Sequence, residues 1–529
     1  MKTRFIVFTV LLSVIVPEIL FGQPTTFVTY YGGVLWDYAR SVKTSTTGDG
    51  YYIAGTTRSA GDYSMLLLKI DPQGDLLWSK KYRSGNEVSD ANNICVNDSC
   101  LYLAGTYQPY STWDGILLNA GTDGVVNWSR TFNDTMDNND YVKSMVITSD
   151  GGVVTVSNVN LNNDNLLVAK HTENGALVWS HLYSINGGSI VPWKIIQTMD
   201  NSFVVTGRTI IGGDIHGFIL KLSQDGNVVW SKTLPWVDHV VGVQQLDTNE
   251  YVFCAFDGSY NGVNDTLANG HNVIFVFKTD TNGYIMWSRS FYNNAYHDEF
   301  YPTDIVKTMD ASVAICGYMA VINNKFDAFI MKIKETGVLL WAKSYGGSEN
   351  DAIFSIDNGI GGDGFIITGE SYSFTHGYND VFILKTDNFG NTYCGIENDL
   401  VLYSFDESSV LNNTLIPMNG HTIDTNSFYH NIVTLDYSEY CMTSFYDNYK
   451  NQTSTKIFPT FVNDIITIET TNEIRSIEII NIFGQTISKV MGLINNSIDI
   501  DMSEYSPNMY FIRVVNEDRT IETYKVVKN

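Results

Sequence analysis

The sequence predicts an all-β chain: a seven-bladed β-propeller with four-stranded blades, followed by a small C-terminal immunoglobulin-like β-sandwich. Three observations lead there. A Gly-x-x-x-Trp unit returns six times, at Gly74/Trp78, Gly124/Trp128, Gly175/Trp179, Gly226/Trp230, Gly283/Trp287 and Gly337/Trp341, with Trp-to-Trp spacings of 50, 51, 51, 57 and 54 residues. Each unit holds four short β-branched or aromatic runs divided by turn residues, and a period of ~40–50 residues with four strands is what a propeller blade requires. From Lys456 onward the beat stops, and period-2 alternation between short turns fills about the last 75 residues, the pattern of a small sandwich.

In chain order, Lys2 and Arg4 precede an apolar run over residues 5–16 and a small residue at Gly22, the pattern of a secretory signal. That run is too short to span a bilayer, and no later stretch reaches ~18 uninterrupted apolar residues. Residues 1–22 are read as signal peptide, 23–393 as propeller, 394–451 as connector and 452–529 as the terminal domain. Residues 27–33 (Phe-Val-Thr-Tyr-Tyr-Gly-Gly) match the strand beginning at Trp341. The first strand is therefore expected to complete the last blade and close the ring, which removes open sheet edges. A seventh turn, Gly390-Asn391-Thr392-Tyr393, exchanges Trp for Tyr.

Composition restricts the partners. Acids outnumber bases 57 to 32, a net charge of −25, which argues against nucleic-acid phosphates and anionic membrane surfaces as ligands. An aromatic content of 13% excludes a disordered chain. Export implies an oxidising compartment. Cys95 and Cys100 flank a hairpin tip at disulfide distance, and Cys394 and Cys441 bracket the connector as a second candidate pair. Cys254 and Cys316 replace Ala54 in their units and read as small buried residues.

The recurring Trp78, Trp128, Trp179, Trp230, Trp287 and Trp341 follow Asp-x-x-Gly-type turns and are expected to wedge between neighbouring blades. Two aspartate positions also recur, Asp37, Asp90, Asp140, Asp298 and Asp351 after one loop, and Asp62, Asp114, Asp164, Asp214, Asp327 and Asp380 before the third strand. Acids repeated around a ring are expected to accept hydrogen bonds from loop amides rather than act as catalysts. The longer, more variable loops share one face of a meander propeller. That face carries Trp36, Trp113, Trp193, Trp236, Tyr107, Tyr110, Tyr296, Tyr372 and Tyr378, a candidate platform for a glycan or peptide.

No His-Glu-x-x-His, Gly-x-Ser-x-Gly or Gly-x-x-x-x-Gly-Lys motif occurs, and the nine His lack metal-ligand spacing. Neither a catalytic residue, a metal nor a cofactor is assigned. The Asp71-Pro72-Gln73-Gly74 turn with Trp78 resembles the tryptophan-docking motif of quinoprotein propellers, with the Asp one residue closer and the Thr missing. The resemblance implies the docking role alone.

The tail is more specific. Ile457-Phe458-Pro459-Thr460-Phe461, Ile477-Glu478-Ile479-Ile480-Asn481-Ile482-Phe483-Gly484-Gln485, Tyr505-Ser506-Pro507-Asn508-Met509-Tyr510 and the ending Tyr524-Lys525-Val526-Val527-Lys528-Asn529 follow one another in the order and spacing of the type A C-terminal sorting domain of the type IX secretion system. The resemblance implies that the secretion machinery is a partner, that the domain is removed after periplasmic cargo crosses the outer membrane, and that the protein is secreted or held at the cell surface. The expected function is a monomeric, non-enzymatic binding or adhesion module for glycan or protein. A glycan-active hydrolase or lyase, and a structural surface-layer component, are the alternatives.

Overall fold

The computed structural model describes residues 26–528 except 59–62, 84–87, 109–111, 134–138, 162, 186–187, 258–272, 294–298, 322–324, 376–377, 393, 395, 407–428, 432–435, 440–442, 445–454, 459–460, 463, 471–473, 482–485, 495–496, 504, 507 and 517–520. The expected signal peptide and Tyr110, Tyr296, Asp62, Asp298, Tyr393 and Cys441 therefore lie outside the described residues. The chain is all-β, and the one helical turn among the described residues is the 3-10 turn Ile360–Gly362. It divides into two compact units, residues 1–443 and 444–529.

The first unit is propeller-like. Among the described residues it contains seven antiparallel sheets built on four strands each. Their inner strands are Asp37–Thr44, Val88–Val96, Asp140–Ile147, Gly188–Gln197, His239–Gln245, Phe300–Lys307 and Asp351–Asn358. Each inner strand packs against that of the next sheet, and the last sheet packs against the first. The last meander takes its outer strand from the chain start: Phe27–Gly32 pairs with Asp380–Thr386, Phe27 opposite Lys385. The middle strands, such as Tyr51–Thr57 and Ser64–Ile70, are buried along their whole length because both faces meet neighbouring sheets.

Four short strands between residues 397 and 439 each add a fifth strand to a sheet. Glu397–Asp399 pairs with Leu339–Tyr345, Tyr403–Asp406 with Ile285–Tyr292, Tyr429–Asn431 with Val126–Asn133 and Asp436–Glu439 with Leu76–Arg83. The segment runs against the sequence order of the sheets and covers outer edges that would otherwise expose unpaired backbone groups.

The second unit has a three-stranded sheet (Thr455–Phe458, Ile465–Thr470, Ser497–Asp501) and a five-stranded sheet built on Ile474–Asn481, Asn508–Asn516 and Ile521–Lys528. Alternate residues from both, including Ile466, Ile468, Ile477, Ile479, Ile512 and Val514, form one core. Tyr510 donates its hydroxyl proton to the Ser506 carbonyl at 2.8 Å, closing the turn before its strand.

Two sequence expectations need correction. The register sets Cys95 opposite Tyr102, not opposite Cys100, and both thiols are free. The hairpin tip closes between Asn97 and Cys100 instead, and the Cys95 thiol points at the Met145 carbonyl of the next sheet, 3.4 Å away. Cys394 is also a free thiol. The aspartate alignment shifts too. The register makes Ser89, rather than Asp90, the equivalent of Asp37, and adds Asp238 to the set containing Asp140 and Asp351.

Candidate functional site: the axial cavity

The repeated residues explain the ring before they explain a site. Trp128, Trp230, Trp287 and Trp341 donate their indole N–H to the carbonyls of Glu173, Thr281, Glu335 and Asn388, 3.0–3.2 Å away in the turn of the following sheet. Each indole face lies on the turn glycine two residues further on. A Cβ on Gly124 would come within 2.9 Å of Trp78, and one on Gly175 within 2.8 Å of Trp128. These glycines also hold φ between 75° and 92°, so close approach and left-handed backbone both require Gly. Phe27 fills the indole place against Gly74, where the last sheet meets the first. Four residues on, Tyr31, Tyr82, Tyr183 and Tyr345 donate to the same glycine carbonyls. The six tryptophans are half-buried rather than enclosed.

A second repeat ties each sheet internally. Lys69, Lys170, Lys221, Lys278, Lys332 and Lys385 end the third strands and pair with Asp49, Asp150, Asp200, Glu250, Asp310 and Asp363 in the turn between strands one and two. The Lys170 and Thr148 hydrogen bonds hold the Asp150 carboxyl down at about 2.

The aspartates at the long-loop face form pairs between neighbouring sheets. Asp37 accepts from the Gly33 amide and Asp351 from the Gly347 amide, each at 2.8 Å. Burial, and then the nearby Asp37, raise Asp380 to about 7; burial and Asp351 raise Asp327 to about 6.

The axis is different. Every inner strand skips one residue in its pairing, and the skipped residues are Arg40, Asn92, Lys143, Trp193, Val241, Thr303 and Phe354. A β-bulge turns an extra side chain out of the ladder. All seven line one cavity of about 350 Å³, and no two are the same residue type. A neighbouring cavity of about 390 Å³ shares Arg40, Tyr318 and Phe354 and reaches Glu370 and Tyr372. Lys194 and Asp304 pair at 2.7 Å although the chain passes through another whole sheet between them. Asp304 also accepts from Ser355, so the carboxylate lining the first cavity is committed to neighbours.

Aromatic rings make the walls. The Arg40 guanidinium sits 4.1 Å from the Phe354 ring centre and 4.7 Å from that of Tyr38. Tyr301 stacks on Tyr318 at 5.1 Å. His239 stacks on Phe256 at 4.6 Å and meets Trp193 edge-on. Burial, and then the Arg208 guanidinium, push His239 down to about 4, so it is neutral at physiological pH.

Of the loop aromatics expected to form a platform, Trp193 and Tyr372 line these cavities. Trp36 and Tyr378 pack edge-to-face on each other at 5.4 Å, with Arg58 over Trp36. Trp236 is wedged against Phe275 and Phe277, and Tyr107 is core. Trp113 lies half-buried, its amide bonded to Asn139. Of the bulge residues the sequence reading named Trp193 alone and missed the other six, because their signal is the absence of repetition at a fixed place, three residues past Asp37, Asp140, Asp238 and Asp351.

Solved structures similar to this chain include a Bacteroides caccae protein of unknown function (9% identity, 60% of this chain and 93% of that one, TM-score 0.36). The Neurospora crassa Pan2 WD40 domain is similar at 11% identity over 67% of this chain and 91% of that one, TM-score 0.40. A Synechocystis apocarotenoid oxygenase mutant is similar at 13% identity over 76% and 97%, TM-score 0.37. No curated protein matches the sequence. Residues 456–529 match the family model described as the secretion system C-terminal sorting domain, and by that tail the chain is a secreted or cell-surface protein.

Proposed function

We propose that the chain is a type IX cargo composed of a seven-bladed β-propeller, an edge-covering connector and a removable immunoglobulin-like sorting sandwich, and that the propeller is a non-enzymatic binding module whose ligand enters at the axis. The observation that carries this reading is the contrast between positions. Docking and salt-bridge residues repeat from sheet to sheet, whereas the seven bulge residues facing the cavity all differ in kind. Recognition of an asymmetric ligand needs different side chains at geometrically equivalent places, and a pocket with aromatic walls and a few convergent polar groups supplies them. Catalysis by paired carboxylates has less support, because the one acid lining the first cavity is Asp304, held by Lys194 and Ser355.

The test is a glycan and peptide array probed with the full chain and with Trp193→Ala, alongside a hydrolysis screen. Specific binding that weakens in the variant without product formation supports the binding module. Turnover of any arrayed glycan would replace that reading with an enzymatic one. Deleting residues 452–529 is expected to leave the protein in the periplasm; normal export of the truncation would contradict the sorting role.

A further inference from the structure

The cavity's charge runs opposite to the chain's. In a protein of net charge −25, three cations, Arg40, Lys143 and Lys194, line the first cavity against one carboxylate, Asp304. Lys194 and Asp304 satisfy each other. Arg40 and Lys143 remain, and among the described residues neither has an ion-pair partner. Asp90 acts on Arg40 and Asp164 on Lys143 without forming an ion pair. Arg208 adds a third charge; its partner is the His239 ring at 3.3 Å, and its Nε is buried without a hydrogen-bond partner. Burial, then Arg40, then Arg208 lower the Lys143 pKa, the direction that nearby like charges impose on an ammonium. An uncompensated cationic cluster in a partly desolvated site costs stability, and an anion relieves that cost.

We infer that this cavity takes a carboxylated saccharide, one or two rings deep, with its carboxylate on Arg40 and Lys143. Three features select that chemistry, resting on the reading of the axis as a ligand site. The Arg40 guanidinium lies over the Phe354 and Tyr38 rings, 4.1 and 4.7 Å from their centres, which restrains it without using its N–H donors, the groups that take a carboxylate bidentately. Beside the Trp193 ring, the Asn93 amide and the Ser144 hydroxyl proton offer donors and the Asn92 and Thr303 side-chain oxygens offer acceptors, the donors of those two being given to the Val142 and Ile353 carbonyls; this is the mixture that a sugar ring requires. A volume of about 350 Å³ is near the lower end of small-ligand pockets, which suits a terminal acidic sugar and excludes a wrapped polymer.

The experiment is calorimetric titration of the full chain with tri-galacturonate, its methyl ester and tetraglutamate. The expected result is saturable binding of tri-galacturonate at least tenfold tighter than its ester, weakened at least tenfold in Arg40→Gln and Lys143→Gln with unchanged near-ultraviolet circular dichroism. Equal binding of acid and ester would overturn the inference while leaving the axis a saccharide site. Preference for tetraglutamate would overturn it in favour of an acidic peptide. Absence of tri-galacturonate binding would overturn it outright, and the array distinguishes that from failure of the binding-module reading.

Discussion

The outer rim and the axis of the propeller-like unit solve different problems with the same strands. At the rim, a Gly–Trp set recurs and anchors one sheet to the turn of the next: the ring lies on a glycine with no Cβ, tied by an indole N–H at Trp128, Trp230 and Trp287, by a phenol four residues on at Tyr82 and Tyr183, and by both at Trp341 and Tyr345. At the axis, one backbone device recurs, the bulge, but its side chain changes every time. Repetition marks what the ring needs to close. Loss of repetition within a repeated backbone is what the proposed binding role predicts for residues that face a ligand.

The comparison can be broken at the rim first. Trp230→Ala removes a half-buried ring and its bond to Thr281, and should cost about 2–3 kcal/mol, below the ~3–5 of a fully buried ring. Urea unfolding should show a lower midpoint at unchanged slope. Gly283→Ala comes next. It places a Cβ 3.2 Å from the Trp230 ring at φ 76°, and about 1–2 kcal/mol is expected by the same measurement.

Between rim and axis lie the inter-sheet acids, which sharpen the contrast by their pH dependence. Asp380, raised to about 7, holds its proton in the native state well above the ~3.9 of an unfolded carboxyl. The native state therefore binds more protons between roughly pH 4 and 7, and stability falls as pH rises through that window. Asp380→Asn should flatten the decline in Tm between pH 5 and 8, with the larger gain at pH 8. Parallel wild-type and variant profiles would remove Asp380 from this role. The smallest effect is expected at the solvent-facing salt bridges. Asp150, held at about 2 by Lys170, contributes above the unfolded carboxyl range and loses that contribution as pH falls towards 2. Asp150→Asn should cost about 0.2–1 kcal/mol at pH 7.

The rim was legible in the sequence because close packing demands identical chemistry in every copy, so Gly74 to Gly337 and Trp78 to Trp341 stand out by period alone. The closing strand was legible for the same reason, since Phe27 to Tyr31 copy the strand beginning at Trp341. The axis was hidden. Arg40, Lys143 and Phe354 sit in strands whose neighbours alternate normally, and only the pairing register shows that each is an inserted residue. The loop aromatics misdirected attention, because an exposed-loop position does not say whether a ring such as Trp236 turns outward or folds onto Phe275 and Phe277. The Cys95 and Cys100 spacing misled similarly; two cysteines near a hairpin tip bond only when the register places them opposite each other.

The division between a structural rim and a functional axis is tested most directly by equilibrium urea unfolding of Trp128→Ala and Lys143→Met side by side at pH 7. The account predicts a loss of about 2–3 kcal/mol for Trp128→Ala and no loss, or a gain, for Lys143→Met, which removes a cation facing Arg40 and Arg208. A loss in Lys143→Met as large as that in Trp128→Ala would make the axial charges part of the scaffold and contradict it.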